Sequence, residues 1–186
     1  MMALVIGGSG SGKSSYAEEL AVSLSSPAAK KYYLATMQVF GREGEQRVER
    51  HRALRRGKGF LTIEQPTEIQ KAVGCMEEGE RVALLECISN LTANEMFQQP
   101  EAKPGAQAAE QVIQGVGLLG KETAHLVVVS NNVFEDGICY DPATMEYIRA
   151  MGRINRALAQ AADYVVEVVA GIPVVLKQGL NWKGQA

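Results

Sequence analysis

Eight consecutive residues near the start, Gly7-Gly8-Ser9-Gly10-Ser11-Gly12-Lys13-Ser14, have the types and spacing needed to hold a phosphate chain. Glycines let the backbone curl until successive N–H groups point at one anion, and a helix N-terminus behind them adds partial positive charge. In such a loop Lys13 reaches the β- and γ-phosphates and the Ser14 hydroxyl ligates Mg²⁺. Two elements must position it. Upstream, Ala3-Leu4-Val5-Ile6 is a short apolar run that reads as a buried parallel strand. Downstream, Ser14 to Leu24 places Ala17, Leu20, Ala21 and Leu24 at helical spacing. Strand, loop and helix in that order imply a nucleoside triphosphate as ligand.

A second group with chemical potential is the basic stretch from Arg47 to Lys58, which holds six cationic residues against one acid in a chain of net charge −2. If helical, it places Arg47, His51 and Arg55 on one face. Flanking cations disfavour the imidazolium, so His51 is expected to be neutral near pH 7, which is its nucleophilic form. The arginines suit bidentate phosphate binding. The same stretch is also what a solvated basic helix with an incidental histidine looks like.

Glu86 ends the apolar run Val82-Ala83-Leu84-Leu85, where P-loop proteins place an acid that holds Mg²⁺ directly or through water, although aspartate is the commoner residue. Ser89, Asn90, Thr92 and Asn94 follow closely and either line a cleft at that strand end or act as helix caps. Val129-Ser130-Asn131-Asn132-Val133 is another apolar run emptying into polar residues, placed either for a ligand or for a turn into the next helix. His125, at the opposite end of that run, reads as structural. Arg149, Arg153 and Arg156 share one helical face that meets either phosphate or solvent.

The elements needed to array these residues are legible as alternating periods. Strands are expected at Tyr32–Ala35, Phe60–Ile63, Val82–Leu85, Leu126–Val129, Tyr164–Val169 and Pro173–Leu176, the last closing a hairpin after Gly171. Helices are expected at about Glu43–Arg56, Thr67–Met76, Ala106–Leu119 and Thr144–Ala162. Strands alternating with helices predict an α/β domain with a mostly parallel sheet covered on both faces. Residues 1–177 are expected to form that single domain, Pro100–Gly105 an exposed loop and residues 178–186 a loose tail. Cys75, Cys87 and Cys139 lack metal-ligand spacing and read as reduced thiols of a cytoplasmic protein. The first strand begins too early for a signal peptide, and no apolar run reaches membrane-spanning length.

Taken together these blocks resemble the bifunctional adenosylcobinamide kinase / adenosylcobinamide-phosphate guanylyltransferase family of cobalamin biosynthesis, over Met2 to about Lys177. The similarity runs through Gly7–Ser14, Tyr33-Leu34-Ala35-Thr36, Arg47-Val48-Glu49-Arg50-His51-Arg52, Thr62-Ile63-Glu64, Leu84 to Leu91, Val129 to Val133, Gly152 to Ala159, and Ala162-Asp163-Tyr164 through Gly171-Ile172-Pro173. The resemblance implies a P-loop NTPase (RecA-like) three-layer fold with helices flanking the sheet. It implies phosphorylation of adenosylcobinamide by ATP or GTP, with Lys13 and Mg²⁺ stabilising the transferring group. It further implies that His51 takes GMP from GTP as a covalent phosphoramidate and passes it to adenosylcobinamide phosphate. By the same resemblance Arg47, Arg52, Arg55, Glu64 and Glu86 join the loop in nucleotide binding, Ser14 and Glu86 hold the metal, and the subunits form a homotrimer.

Two positions depart from the family pattern. Asn132 stands where Glu is usual, and Gly10 where many members carry arginine. Two other activities share these residues: a P-loop kinase of another small molecule with His51 a bystander, and a nucleotide-dependent module whose basic helix grips nucleic acid. Net charge and the absence of interleaved aromatics argue against the second.

Overall fold

The computed structural model describes residues 1–38, 57–98, 102–132, 138, 140–180 and 182. The expected helix at Glu43–Arg56, with Arg47, His51, Arg52 and Arg55, lies outside the described residues. Seven strands form one sheet: β1 (Met2–Gly7), β2 (Lys30–Ala35), β3 (Phe60–Glu64), β4 (Arg81–Glu86), β5 (His125–Asn131), β6 (Tyr164–Val169) and β7 (Ile172–Gln178). Their order across the sheet is β3-β2-β4-β5-β1-β6-β7, with every pairing parallel except the β6–β7 hairpin. Ala170 and Gly171 make that hairpin's two-residue turn with φ of 50° and 82°, the positive pair that suits the twist of antiparallel strands.

Among the described residues four α-helices accompany the sheet: α1 (Lys13–Ser23), α2 (Ile88–Phe97), α3 (Gly105–Lys121) and α4 (Pro142–Ala161). Strand side chains alternate between two cores, as a sheet buried on both faces requires. Leu4, Leu34, Leu85, Leu126, Val128 and Val165 face α2, α3 and α4, whose Leu91, Val116 and Ile154 fill that layer. Val5, Leu84, Val127, Val129 and Val166 face the other way, against Ala17, Leu20 and Ala21 of α1. The three-layer α/β arrangement expected from the alternating periods is therefore the observed one.

Some elements differ from the expected ones. The stretch expected as a helix at Thr67–Met76 is a 3₁₀ helix, Ile69–Cys75, pinned by the buried Ile69 and Ala72. At seven residues it is longer than most stretches of this tighter winding, which is common in short connectors. Helix α2 had no counterpart in the sequence reading. Helix α4 begins two residues earlier than expected, because the Asp141 carboxylate accepts from Ala143 N at 3.0 Å and Thr144 N at 3.1 Å, with Pro142 at the first helical position. The Thr144 hydroxyl, donating to the same carboxylate at 2.6 Å, and these backbone bonds hold the Asp141 carboxyl below its usual range. The residues expected as a loose tail are partly engaged: Gln178 extends β7, and the Trp182 ring stacks on Tyr164 at 4.2 Å.

Candidate active site

The loop Gly7–Ser14 joins the carboxyl end of β1 to the head of α1, so its backbone N–H groups and the helix dipole converge on one spot. Gly10 and Gly12 have φ of +72° and +92°, a region that L side chains rarely adopt. An arginine at position 10 would have to take up that backbone. Gly7 is constrained by space instead: an added Cβ would lie 2.5 Å from Ser11 Oγ and 2.7 Å from the Val168 carbonyl oxygen. The β6–β7 turn also braces the loop, with Gly171 N donating to Ser11 O at 2.8 Å. Gly7→Ala is therefore expected to force the loop off β6, at a cost of about 1–3 kcal/mol. Thermal melts with and without nucleotide would show a lower Tm and a diminished nucleotide-induced shift.

Lys13 is 9% exposed and its ammonium donates to Gly8 O at 2.9 Å, lying back across the loop it serves. Burial pulls its pKa below the ordinary value, opposed by the nearby Cys87 and Glu86. The next side chain, Ser14, donates its hydroxyl to Glu86 Oε1, and Tyr33 donates to the other carboxylate oxygen at 3.0 Å. Ser14 and Glu86, separated by 72 positions, thus meet at the carboxyl ends of β1 and β4. Glu64 ends β3 in line with them: it pairs in register with Ala35, and Ala35 pairs with Glu86. Two strand spacings, roughly 10 Å, separate the backbones of Glu64 and Glu86.

Several contributors were not singled out from the sequence. Thr36, fully buried after β2, donates to Cys87 O and accepts from Cys87 N, both at 2.8 Å, and so fixes the chain immediately after Glu86. Thr36→Val would leave both backbone groups unpaired in the interior, costing about 1–3 kcal/mol. A fall in Tm of about 2–4 °C per kcal/mol is expected, with parallel loss of nucleotide affinity.

The open alternatives around β4 and β5 resolve individually. Ser89, Thr92 and Asn94 lie within α2. Ser89 Oγ accepts from Asn131 Nδ2 at 2.5 Å, Thr92 bonds back to Ile88 O, and Asn94 Nδ2 bridges Thr36 O and Pro66 O at 2.8 and 2.9 Å. Ser130 and Asn131 belong to β5 itself, and Ser130 Oγ donates to Asn155 Oδ1 at 2.6 Å. Tyr147 donates to Ser89 O at 3.0 Å, and burial pushes its phenol up to about 12.

Asn132, the position that departs from the family pattern, has its amide on a carboxylate. Asn132 Nδ2 donates to Glu167 Oε1 at 3.0 Å, while its backbone N–H donates to Gly7 O at 3.1 Å. A carboxylate thus stands beside Asn132, carried by β6 on the far side of β1. Arg149, Arg153 and Arg156 are exposed to solvent. His125 begins β5 at the opposite end of the sheet from the loop, and burial and the chain's amino terminus lower its pKa. Among the described residues no cluster of three or more His, Cys, Asp or Glu is arranged to hold a metal.

The segment bearing His51 re-enters the described chain at Gly57, and Lys58 then reaches α1. Its ammonium donates to Glu18 Oε2 at 2.6 Å, and Glu18 is fully buried. The chain a few residues beyond His51 is therefore tied to the second turn of the phosphate-loop helix.

A glycine-rich loop between a central parallel strand and a helix, with a serine–glutamate pair at its mouth, defines a P-loop nucleotide-binding protein. The fold is shared with a solved ATPase domain, at a TM-score of 0.58 and 8% identity, over 99% of this chain and 78% of that one. The chain belongs to the family described as cobinamide kinase / cobinamide phosphate guanyltransferase, which matches residues 3–176. It is 32% identical over 187 residues to the bifunctional adenosylcobalamin biosynthesis protein CobU of Escherichia coli, covering 95% of this chain and 100% of that one. It is 28% identical over 178 residues to the corresponding CobP of Pseudomonas aeruginosa, covering 95% and 98%. To CobU of Salmonella typhimurium it is 30% identical over 186 residues, covering 95% and 100%.

Proposed function

We propose that this protein phosphorylates adenosylcobinamide with ATP or GTP and then transfers GMP from GTP to the product, giving adenosyl-GDP-cobinamide. The observation that carries the reading is the phosphate loop with Ser14 already paired to Glu86, set in a chain whose family match runs almost end to end. In the first reaction the hydroxyl oxygen of the substrate's aminopropanol arm attacks the γ-phosphorus, the bond to the bridging oxygen breaks, the nucleoside diphosphate leaves and the hydroxyl proton passes to solvent. Phosphoryl transfer is managed by positioning and charge. Loop N–H groups orient the phosphates, and Lys13 exchanges its Gly8 carbonyl for phosphate oxygens.

Mg²⁺ fits the residues present. Ser14 and Glu86 offer only hard oxygen donors, already within hydrogen-bond reach of each other, and Mg²⁺ takes one or two protein oxygens alongside phosphate and water. When bound, the ion neutralises charge on the β- and γ-oxygens.

In the second reaction His51 is the nucleophile, with Arg47, Arg52 and Arg55 beside it in sequence to bind phosphate oxygens and Glu64 in the nucleotide site. Residues 1–177 act as one nucleotide-binding domain in a cytoplasmic homotrimer that engages no nucleic acid. The net charge of −2 agrees with the last point, and no described helix is long and apolar enough to cross a membrane. Trimer formation draws support from the edge strand β7, where Ile172 is 65% and Leu176 58% exposed. An apolar edge of this kind is a template for a partner chain. The test is incubation of the purified protein with adenosylcobinamide, GTP and Mg²⁺, with products read by mass. Sequential gains of a phosphoryl and a guanylyl group are expected; phosphorylation alone would restrict the protein to the kinase step.

A further inference from the structure

Away from the phosphate loop, a cavity of about 290 Å³ opens between the ends of β3 and α2 and the start of α3. Thr67, Asn94, Glu95, Gln98, Lys103 and Gln111 line it, all of them polar residues. Glu95 is only 4% exposed, and it accepts from Glu68 N at 2.6 Å and from Lys103 Nζ at 3.2 Å. Lys103 also donates to Gln111 Oε1 at 2.6 Å. Glu68, at the rim, is paired with Lys71. Each carboxylate in the wall therefore has its own ammonium.

That compensation selects the kind of ligand. A phosphate would meet two carboxylates, and a cation would find both already paired. What remains unspent is neutral hydrogen-bonding capacity of both kinds. The Asn94 amide nitrogen is committed to Thr36 O and Pro66 O, which leaves Oδ1 as an acceptor held in place. The Gln111 oxygen is committed to Lys103, which leaves Nε2 as a donor. The Thr67 hydroxyl can serve either way. A fixed acceptor and a donor on residues lining one small cavity are the complement of a primary carboxamide, whose NH₂ donates and whose carbonyl accepts.

The position suits a large substrate reacting at the loop. Thr67 follows β3 and Asn94 is tied to the chain after β2, so the cavity lies at the same carboxyl edge of the sheet as Glu64 and Glu86. A corrinoid is a macrocycle rimmed by primary carboxamide arms, broad enough to span several strand spacings of about 4.8 Å each. We propose that this cavity receives one carboxamide arm of the corrinoid, holding the macrocycle while its hydroxyl-bearing arm reaches the phosphate loop. The inference rests on the corrinoid reading of the preceding subsection.

The experiment measures binding of adenosylcobinamide to the full-length protein by calorimetry, together with its KM, in the wild type, Gln111→Leu, Gln111→Glu and Thr67→Val. Loss of one neutral pairing is expected to weaken corrinoid binding about 5- to 30-fold and to raise its KM in step. Guanylylation by GTP alone should be unchanged in each variant, which separates loss of the arm's pocket from general damage. Gln111→Glu keeps the shape of the side chain, so its effect is not one of packing. Corrinoid affinity unaltered in all three variants would overturn the assignment while leaving the proposed reactions standing. A wild-type protein that binds no adenosylcobinamide would overturn the corrinoid reading and this one with it.

Discussion

Replacing Lys13 by Ala should lower the rate of phosphoryl transfer to adenosylcobinamide by about 10²- to 10³-fold, the loss typical when one preorganised donor to a developing charge is removed. The ammonium already lies within the loop, where it has one carbonyl to exchange for phosphate oxygens. It is 9% exposed, sits on Gly8 O within the loop, and is flanked by Glu86. In that partly dry setting its charge is worth more to a transferring phosphoryl than it would be in water. Burial lowers the pKa of the ammonium, and Cys87 and Glu86 beside it oppose that shift. Lys13→Arg retains the charge but puts a larger, planar head into a nearly closed space, so it should recover little activity. Single-turnover transfer of labelled γ-phosphate is the measurement, with nucleotide affinity determined alongside it. A drop in kcat that exceeds the loss of nucleotide affinity places the effect in the transition state. Weaker nucleotide affinity with kcat unchanged would reduce Lys13 to a binding residue.

The phosphate loop was legible because it is local: eight neighbouring residues carry the whole signal, and the strand and helix beside them have clean periods. Glu86 was legible for a similar reason, as an acid ending an apolar run that could only be a buried strand. Helix α2 was not. Its sequence, Ile88-Ser89-Asn90-Leu91-Thr92-Ala93-Asn94, is rich in residues that compete with helical hydrogen bonding. It is helical because Ile88, Leu91 and Met96 are buried against the sheet and α3 side, and because Asn94 and Thr92 spend their polar groups on backbone carbonyls. Tertiary packing overrides propensity there. The same limit hid the pairs that shape the site's walls. Asn132 with Glu167, and Ser130 with Asn155, join residues 35 and 25 positions apart, and nothing in either local stretch points to the other. Glu167 is instructive: within Tyr164–Val169 it looks like a solvent-facing break in an apolar strand, yet the fold sets it beside the phosphate loop.

His51→Ala should abolish the covalent GMP adduct and reduce guanylyl transfer by at least roughly 10³-fold, since removing a nucleophile leaves only binding and electrostatic assistance. The balance of the step defines what to look for. On the proposed route a lone pair on the imidazole attacks the α-phosphorus of GTP, the bond to the bridging oxygen breaks, and pyrophosphate leaves. A phosphate oxygen of adenosylcobinamide phosphate then attacks the same phosphorus, the P–N bond breaks, and the imidazole is restored. On that route His51 reacts through a neutral imidazole, and Arg47, Arg50, Arg52 and Arg55, close to it in sequence, offer partners to phosphate oxygens. Peptide mapping after incubation with GTP and Mg²⁺ should place a GMP group on His51, lost in acid and kept in alkali as expected of a phosphoramidate. In His51→Ala the adduct disappears, while phosphorylation of adenosylcobinamide continues, because that reaction draws on Lys13, Ser14 and Glu86. A loss of both activities would mean that one site serves both transfers and that the histidine also shapes the kinase step. Retention of guanylyl transfer without His51 would remove the covalent route altogether, leaving direct attack of the corrinoid phosphate on GTP at the loop.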